Sequence, residues 1–183
     1  IAYDDIAPRL RQAVLASEDA GFDRHVGLSV TRVALAAVRD LLEWRKAAGA
    51  STLTQQLARN LFLTSEKTWE RKVKEAILAV QIEKRYTKRE IFTIYCNQIY
   101  LGHGAYGVEA ASRLYFVKPA RQLTLEEAAL IAGIIQLPER QSPFVDMNRA
   151  MRRRNYVLQR MAEEGYLSAD EAEAAKKRPI VLR

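Results

Sequence analysis

The chain has 183 residues, 49% hydrophobic and 28% charged, a globular balance that excludes a disordered chain and allows a proper core. Lys and Arg outnumber Asp and Glu by 29 to 22, so the net charge of +7 favours polyanions: nucleic acid, acidic lipid headgroups or phosphorylated substrates. A single cysteine, Cys96, excludes an internal disulfide, and no apolar run reaches the length of about 18 residues that a membrane span needs.

In chain order, the first predicted helix buries Leu10, Val14 and Leu15 and ends at Glu18-Asp19. Ser29 can cap a second helix, with Val30, Val33, Ala34, Ala37, Val38, Leu41 and Leu42 at three-four spacing and Gly49 as its stop. Thr52 starts a short helix to about Leu61. The next, from about Thr68 to Tyr86, is expected to turn Trp69, Val73, Ala76, Ile77 and Val80 to one apolar side. Capping boxes pair Thr87 with Glu90, Thr124 with Glu127 and Ser168 with Glu171, and start three further helices. Cys96 falls inside the apolar pattern of the first of these and reads as a buried, inert thiol. Gly102 to Gly107 reads as flexible punctuation between halves. A helix from about Asn148 to Glu164 turns Val157, Leu158 and Met161 inward and ends at Gly165. No alternating strand pattern and no repeat is present, so the predicted class is mainly α. The chain opens on Ile1 without a leader pattern, and is expected to be a piece of a longer, membrane-anchored protein.

The stretch Gly49-Ala50-Ser51-Thr52-Leu53-Thr54-Gln55-Gln56-Leu57-Ala58-Arg59-Asn60 carries the strongest chemical signal. Ser, Thr and Asn compete with the helical backbone for hydrogen bonds, so a core helix avoids them. A cap at Thr52 accounts for the first residues, and the rest point to an anion held at a helix start. At the end of the first helix, Glu18 sits beside apolar neighbours that disfavour its ionised form, which suits proton transfer. Lys67, Arg71 and Glu75 follow at i+4 steps and share a helix face whose charged end should meet the mouth of a cleft. Arg152-Arg153-Arg154 opens a basic amphipathic stretch that by itself reads as a solvated face.

Together these stretches resemble the peptidoglycan glycosyltransferase domain, glycosyltransferase family 51, of class A penicillin-binding proteins and monofunctional transglycosylases. The blocks occur in order: Glu18-Asp19 with Phe22, His25 and Gly27; Gly49-Ala50-Ser51-Thr52 with Gln55-Gln56 and Asn60; Arg71-Lys72 with Glu75 and Glu83; Ile91 with Tyr95 and Asn97; and Arg153-Arg154 with Val157-Leu158 and Met161. The resemblance covers essentially residues 1–183 and implies a lysozyme-like, two-lobed helical domain with a central cleft. It implies polymerisation of lipid II, on the outer face of the bacterial cytoplasmic membrane, into β-1,4 glycan with release of undecaprenyl pyrophosphate. Glu18 is then the general base, and Glu75 the second essential carboxylate. Arg59, Lys67 and Arg71 match the phosphate-contacting positions, with Arg59 where many relatives carry Lys. Ser51, Gln55, Gln56 and Asn60 would complete the sugar–phosphate site. The implied partners are lipid II, the growing glycan, the membrane surface and phosphoglycolipid inhibitors of the moenomycin type, with no nucleic acid. No cofactor is expected to be required, with Mg or Mn left as an optional divalent cation. No Ser-x-x-Lys occurs, so a penicillin-reactive transpeptidase is not expected within these residues.

A lysozyme-like hydrolase or lytic transglycosylase is the rival reading. Its leaving group is a sugar hydroxyl, which needs no cationic cluster. Leu41, Leu42 and Trp44, near Arg45-Lys46, are expected at the membrane interface.

Overall fold

The computed structural model describes residues 1–25, 51–63 and 68–183, with the backbone alone for Arg24 and His25. The predicted Ser29–Gly49 helix, the interfacial Leu41, Leu42 and Trp44, and Lys67 lie outside the described residues. Among the described residues the regular structure is helical, and the only strand-like feature is an isolated antiparallel bridge between Tyr100 and Tyr106. The chain divides into two compact units: Ile1–Ala20 with Ile99–Arg183, and Gly21–Gln98.

The first unit contains α1 (Pro8–Glu18), and the second α2 (Leu53–Phe62), α3 (Trp69–Arg85) and α4 (Lys88–Gln98). The first unit continues with α5 (Val108–Phe116), α6 (Leu125–Ile134), the single turn α7 (Pro138–Gln141), α8 (Met147–Glu163) and α9 (Ala169–Lys177). After its acidic first turn α6 is apolar on every side, and its residues from Ala128 to Ile134 are all buried, which puts it at the centre. α1 and α8 pack on it and on each other, and α9 packs on α8. Gly133 permits the close crossing of α6 and α8, because a Cβ there would meet the Arg153 backbone at 3.1 Å.

Two expectations for this unit are corrected. Arg154 is fully buried, although the basic stretch around it reads as a solvated face. Its guanidinium donates to the carbonyls of Arg178 (2.7 Å) and Lys176 (2.6 Å), which end α9, and to Asn155 Oδ1. Arg154 is therefore a C-terminal cap supplied from α8, where a cation also meets the negative end of the α9 dipole. The Gly102–Gly107 loop is a hydrogen-bonded turn rather than loose punctuation. Leu101 N–H donates to Ala105 O (2.8 Å), Gly107 N–H donates to Ile99 O (2.7 Å), and His103 Nε2 lies 2.6 Å from Ser142 Oγ. Gly102 adopts φ +88°, a conformation that L side chains rarely hold.

In the second unit, α2 starts at a capping box in which Gln55 N–H donates to Thr52 Oγ1 (3.2 Å) and Thr52 N–H donates to Gln55 Oε1 (2.9 Å). Thr68 caps α3, and Thr87 with Glu90 caps α4 by the same reciprocal pattern. α3 and α4 both pack against α2. Phe22 and Phe92 meet with ring centroids 6.5 Å apart and are buried. Cys96 is buried as expected, and desolvation pushes its thiol well above the usual range, so it stays protonated.

Candidate active site

The apolar side that the spacing of α3 marks does not face inward. Trp69, Val73 and Ile77, one turn apart, are 54%, 41% and 53% exposed, while Lys72, Glu75, Ala79 and Ile82 form the buried face. Burying charge is tolerated here because the two ions neutralise each other. Lys72 Nζ lies 2.8 Å from Glu75 Oε1 and also donates to Ser51 Oγ at 2.8 Å. Glu75 is 0% exposed and Lys72 8%. Among the described residues, Glu75 Oε2 accepts no hydrogen bond. Lys72 did not stand out in the sequence as a site residue. The signal for it was present: 72, 75, 79 and 82 recur at three-four-three spacing, so Ala79 and Ile82 mark the inward side.

The chemical consequence is a fixed ammonium. An Nζ has three donors, and two of them are committed to groups that hold it in place. The remaining valence can meet an anion without the reorganisation a surface lysine requires. Arg71, the neighbouring residue on α3, is half-buried. Arg59, in the last turn of α2, is also half-buried, and Asn60 beside it is exposed. Lys67 lies outside the described residues.

The adjacent glutamines have internal partners. Gln55 is buried and gives its side-chain oxygen to the Thr52 cap. Gln56 Nε2 donates to Ser51 O (3.3 Å), and its oxygen accepts from Tyr95 OH (3.1 Å). Both side chains thus shape the backbone around Ser51. Thr54, buried in the first turn of α2, donates to Glu83 Oε1 at 2.5 Å, and Lys88 Nζ reaches the same oxygen at 2.8 Å. In the first unit, Glu18 is the half-buried last residue of α1, and Asp19 N–H closes the helix on Leu15 O. Among the described residues no cluster of His, Cys, Asp and Glu gathers as a metal-ligand set.

The family model described as transglycosylase matches residues 1–162. The chain belongs to the transglycosylase family. It is 45% identical over 183 residues to penicillin-binding protein 1A of Aquifex aeolicus, covering all of this chain and 25% of that protein. Penicillin-binding protein 1A of Haemophilus influenzae is 48% identical over 177 residues, 97% of this chain and 21% of the relative. Penicillin-binding protein 2D of Bacillus subtilis is 46% identical over 180 residues, 98% of this chain and 26% of the relative. The crystal structure of the Haemophilus influenzae protein matches with a TM-score of 0.51 at 35% identity, covering 72% of this chain and 16% of that one. The transglycosylase chain thus spans about a quarter or less of the length of these relatives. The expected mainly α, lysozyme-like class and the glycosyltransferase family both hold for it.

Proposed function

We propose that this transglycosylase domain joins lipid II units into β-1,4 glycan at the outer face of the cytoplasmic membrane, with undecaprenyl pyrophosphate as leaving group. The observation that carries the reading is the buried Lys72–Glu75–Ser51 cluster, in a chain whose family is transglycosylase. In the reaction, Glu18 takes the proton from the 4-hydroxyl of the acceptor sugar. That oxygen forms a bond to C1 of the donor as the C1–O bond to the diphosphate breaks, which inverts an α-linked phosphate to a β-linked sugar. The diphosphate leaves with the bonding electrons, and its growing charge meets Lys72, Arg71, Arg59 and Lys67. Glu75 holds Lys72 in place and offsets its charge before substrate arrives. Ser51 orients the same ammonium, Gln55 and Gln56 set the backbone that carries it, and Asn60 contributes to the sugar–phosphate site.

A divalent cation, Mg or Mn, enters this reading only as a counter-ion carried by the substrate diphosphate. Phosphoglycolipids of the moenomycin type, which carry a phosphate on a lipid, would compete at the same cations. Nucleic acid is not a partner in this reading, because nucleic-acid binding would not account for the Ser51-Thr52 and Gln55-Gln56 block. Membrane contact is supported by the exposed stripe of Trp69, Val73 and Ile77, since Trp favours headgroup depth. No described helix is long and apolar enough to cross a membrane.

The rival hydrolase or lytic transglycosylase would use a carboxylic acid and expel a sugar hydroxyl, a group for which a buried cation has no task. Incubation with labelled lipid II and, separately, with finished peptidoglycan distinguishes them. The proposal expects polymer and free undecaprenyl pyrophosphate from the first and no soluble fragments from the second. Fragments from finished peptidoglycan without turnover of lipid II would overturn it.

A further inference from the structure

We infer that Glu83 is a positioning residue for the cationic site, acting through Thr54 and the first turn of α2 to hold Ser51 against Lys72. The inference rests on the proposed role of Lys72 at the diphosphate. α2 is a short helix of 10 residues, and among the described residues side chains of the neighbouring helices bond to it and to the Ser51 just ahead of it. Lys72 of α3 donates to Ser51 Oγ, Thr54 Oγ1 donates to Glu83 of α3, and Tyr95 of α4 donates to Gln56 Oε1. Only the first of these involves a group that meets substrate. The Glu83 link sets its geometry, because Thr54 lies one turn from Ser51 and is buried, so its hydroxyl has to be satisfied within the protein.

Glu83 is itself held. Lys88 Nζ donates to the same Oε1, and that ammonium stands 4.3 Å from the centroid of the Phe22 ring, which packs on Phe92. One carboxylate oxygen therefore fixes α2 and α4 at once, from a point on α3 three turns beyond Lys72. Without that acceptor, the Thr54 hydroxyl turns to the backbone carbonyl three residues back, Ser51 O, in competition with Gln56 Nε2. The disturbed peptide is that of Ser51, so the strain falls on the hydroxyl that orients Lys72.

The test uses Thr54→Val, which keeps the buried shape and removes the hydroxyl, with Glu83→Ala, Glu83→Gln and Ser51→Ala. Lipid II polymerisation in vesicles and thermal melts are followed for each single variant, and for each of the first two combined with Ser51→Ala. Thr54→Val and Glu83→Ala should each lower kcat/KM for lipid II by about tenfold. Glu83→Gln keeps an acceptor for Thr54 and should stay near wild type. In the Ser51→Ala background the same changes should lose less than about twofold more, because the path through Ser51 is already cut. Multiplicative losses in the double variants, or a Glu83→Gln as impaired as Glu83→Ala, would overturn the inference while leaving polymerisation by the wild type intact. A wild type that neither binds nor polymerises labelled lipid II would overturn the functional reading, and this inference with it. If Glu83→Ala does not fold, the Thr54→Val cycle decides alone.

Discussion

Replacing Lys72 by Met separates the two tasks given to this residue. Glu75 is completely buried, and its hydrogen-bond donor among the described residues is Lys72, at 2.8 Å. Lys72→Met keeps most of the aliphatic stem but leaves a buried carboxylate without its counter-charge. Breaking a buried pair from one side costs about 3–5 kcal/mol. For a domain of this size, at ~2–4 °C per kcal/mol, Tm should fall by roughly 6–20 °C, read by circular dichroism. Removing both charges in Lys72→Met/Glu75→Leu takes away the penalty, so Tm should return to near or above wild type. Polymerisation of lipid II should be lost in both variants, because restored packing does not restore a cation. A single variant within about 2 °C of wild type would contradict the reasoning. So would a double variant less stable than the single one, or one that recovers polymerisation.

Arg154→Lys keeps the charge but not the planar fork that reaches two carbonyls, and should cost about 2–3 kcal/mol. Hydrogen exchange should quicken over α9 while turnover per folded molecule is retained. Burial raises the Glu126 carboxyl, but hydrogen bonds from its own backbone N–H, Arg178 and Thr124 outweigh this and hold it below the usual 4.5. A depressed carboxyl contributes stability above the unfolded value and loses it as pH falls through the folded one. The Tm difference between wild type and Glu126→Gln should therefore be constant near neutrality and close below about pH 4.5. Trp69, Val73 and Ile77 changed together to Ser should leave Tm almost unaltered, since these side chains are exposed, while liposome binding and activity on bilayer-embedded lipid II fall. A large loss of Tm with unchanged liposome binding would return them to the core.

Caps and apolar spacing carried the helices. Thr52, Thr68, Thr124 and Ser168 all cap where the sequence places a start, because a cap is local chemistry within four residues. What stayed hidden depends on partners distant in sequence. The inward turn of Lys72 and Glu75 is tied to Ser51, which lies just ahead of α2 and 21 residues away in sequence, and apolar spacing alone does not reveal it. Arg154 reads as surface because its acceptors are backbone carbonyls more than twenty residues away, which have no signature in sequence. Gln55 and Gln56 stood out as polar residues suited to a ligand, yet their side-chain oxygens serve the cap and Tyr95. Of the proposed site, the sequence pointed to Glu18, Ser51 and Glu75 through family motifs. The ammonium between the last two emerged from the geometry.

The most direct test of the account is lipid II polymerisation by wild type and Glu18→Gln, followed by release of undecaprenyl pyrophosphate. The amide matches the carboxylate in size but does not accept the acceptor proton. Turnover should fall by roughly 10²- to 10⁴-fold while Tm and lipid II binding stay close to wild type. Glu18→Gln polymerising at the wild-type rate would contradict the central claim.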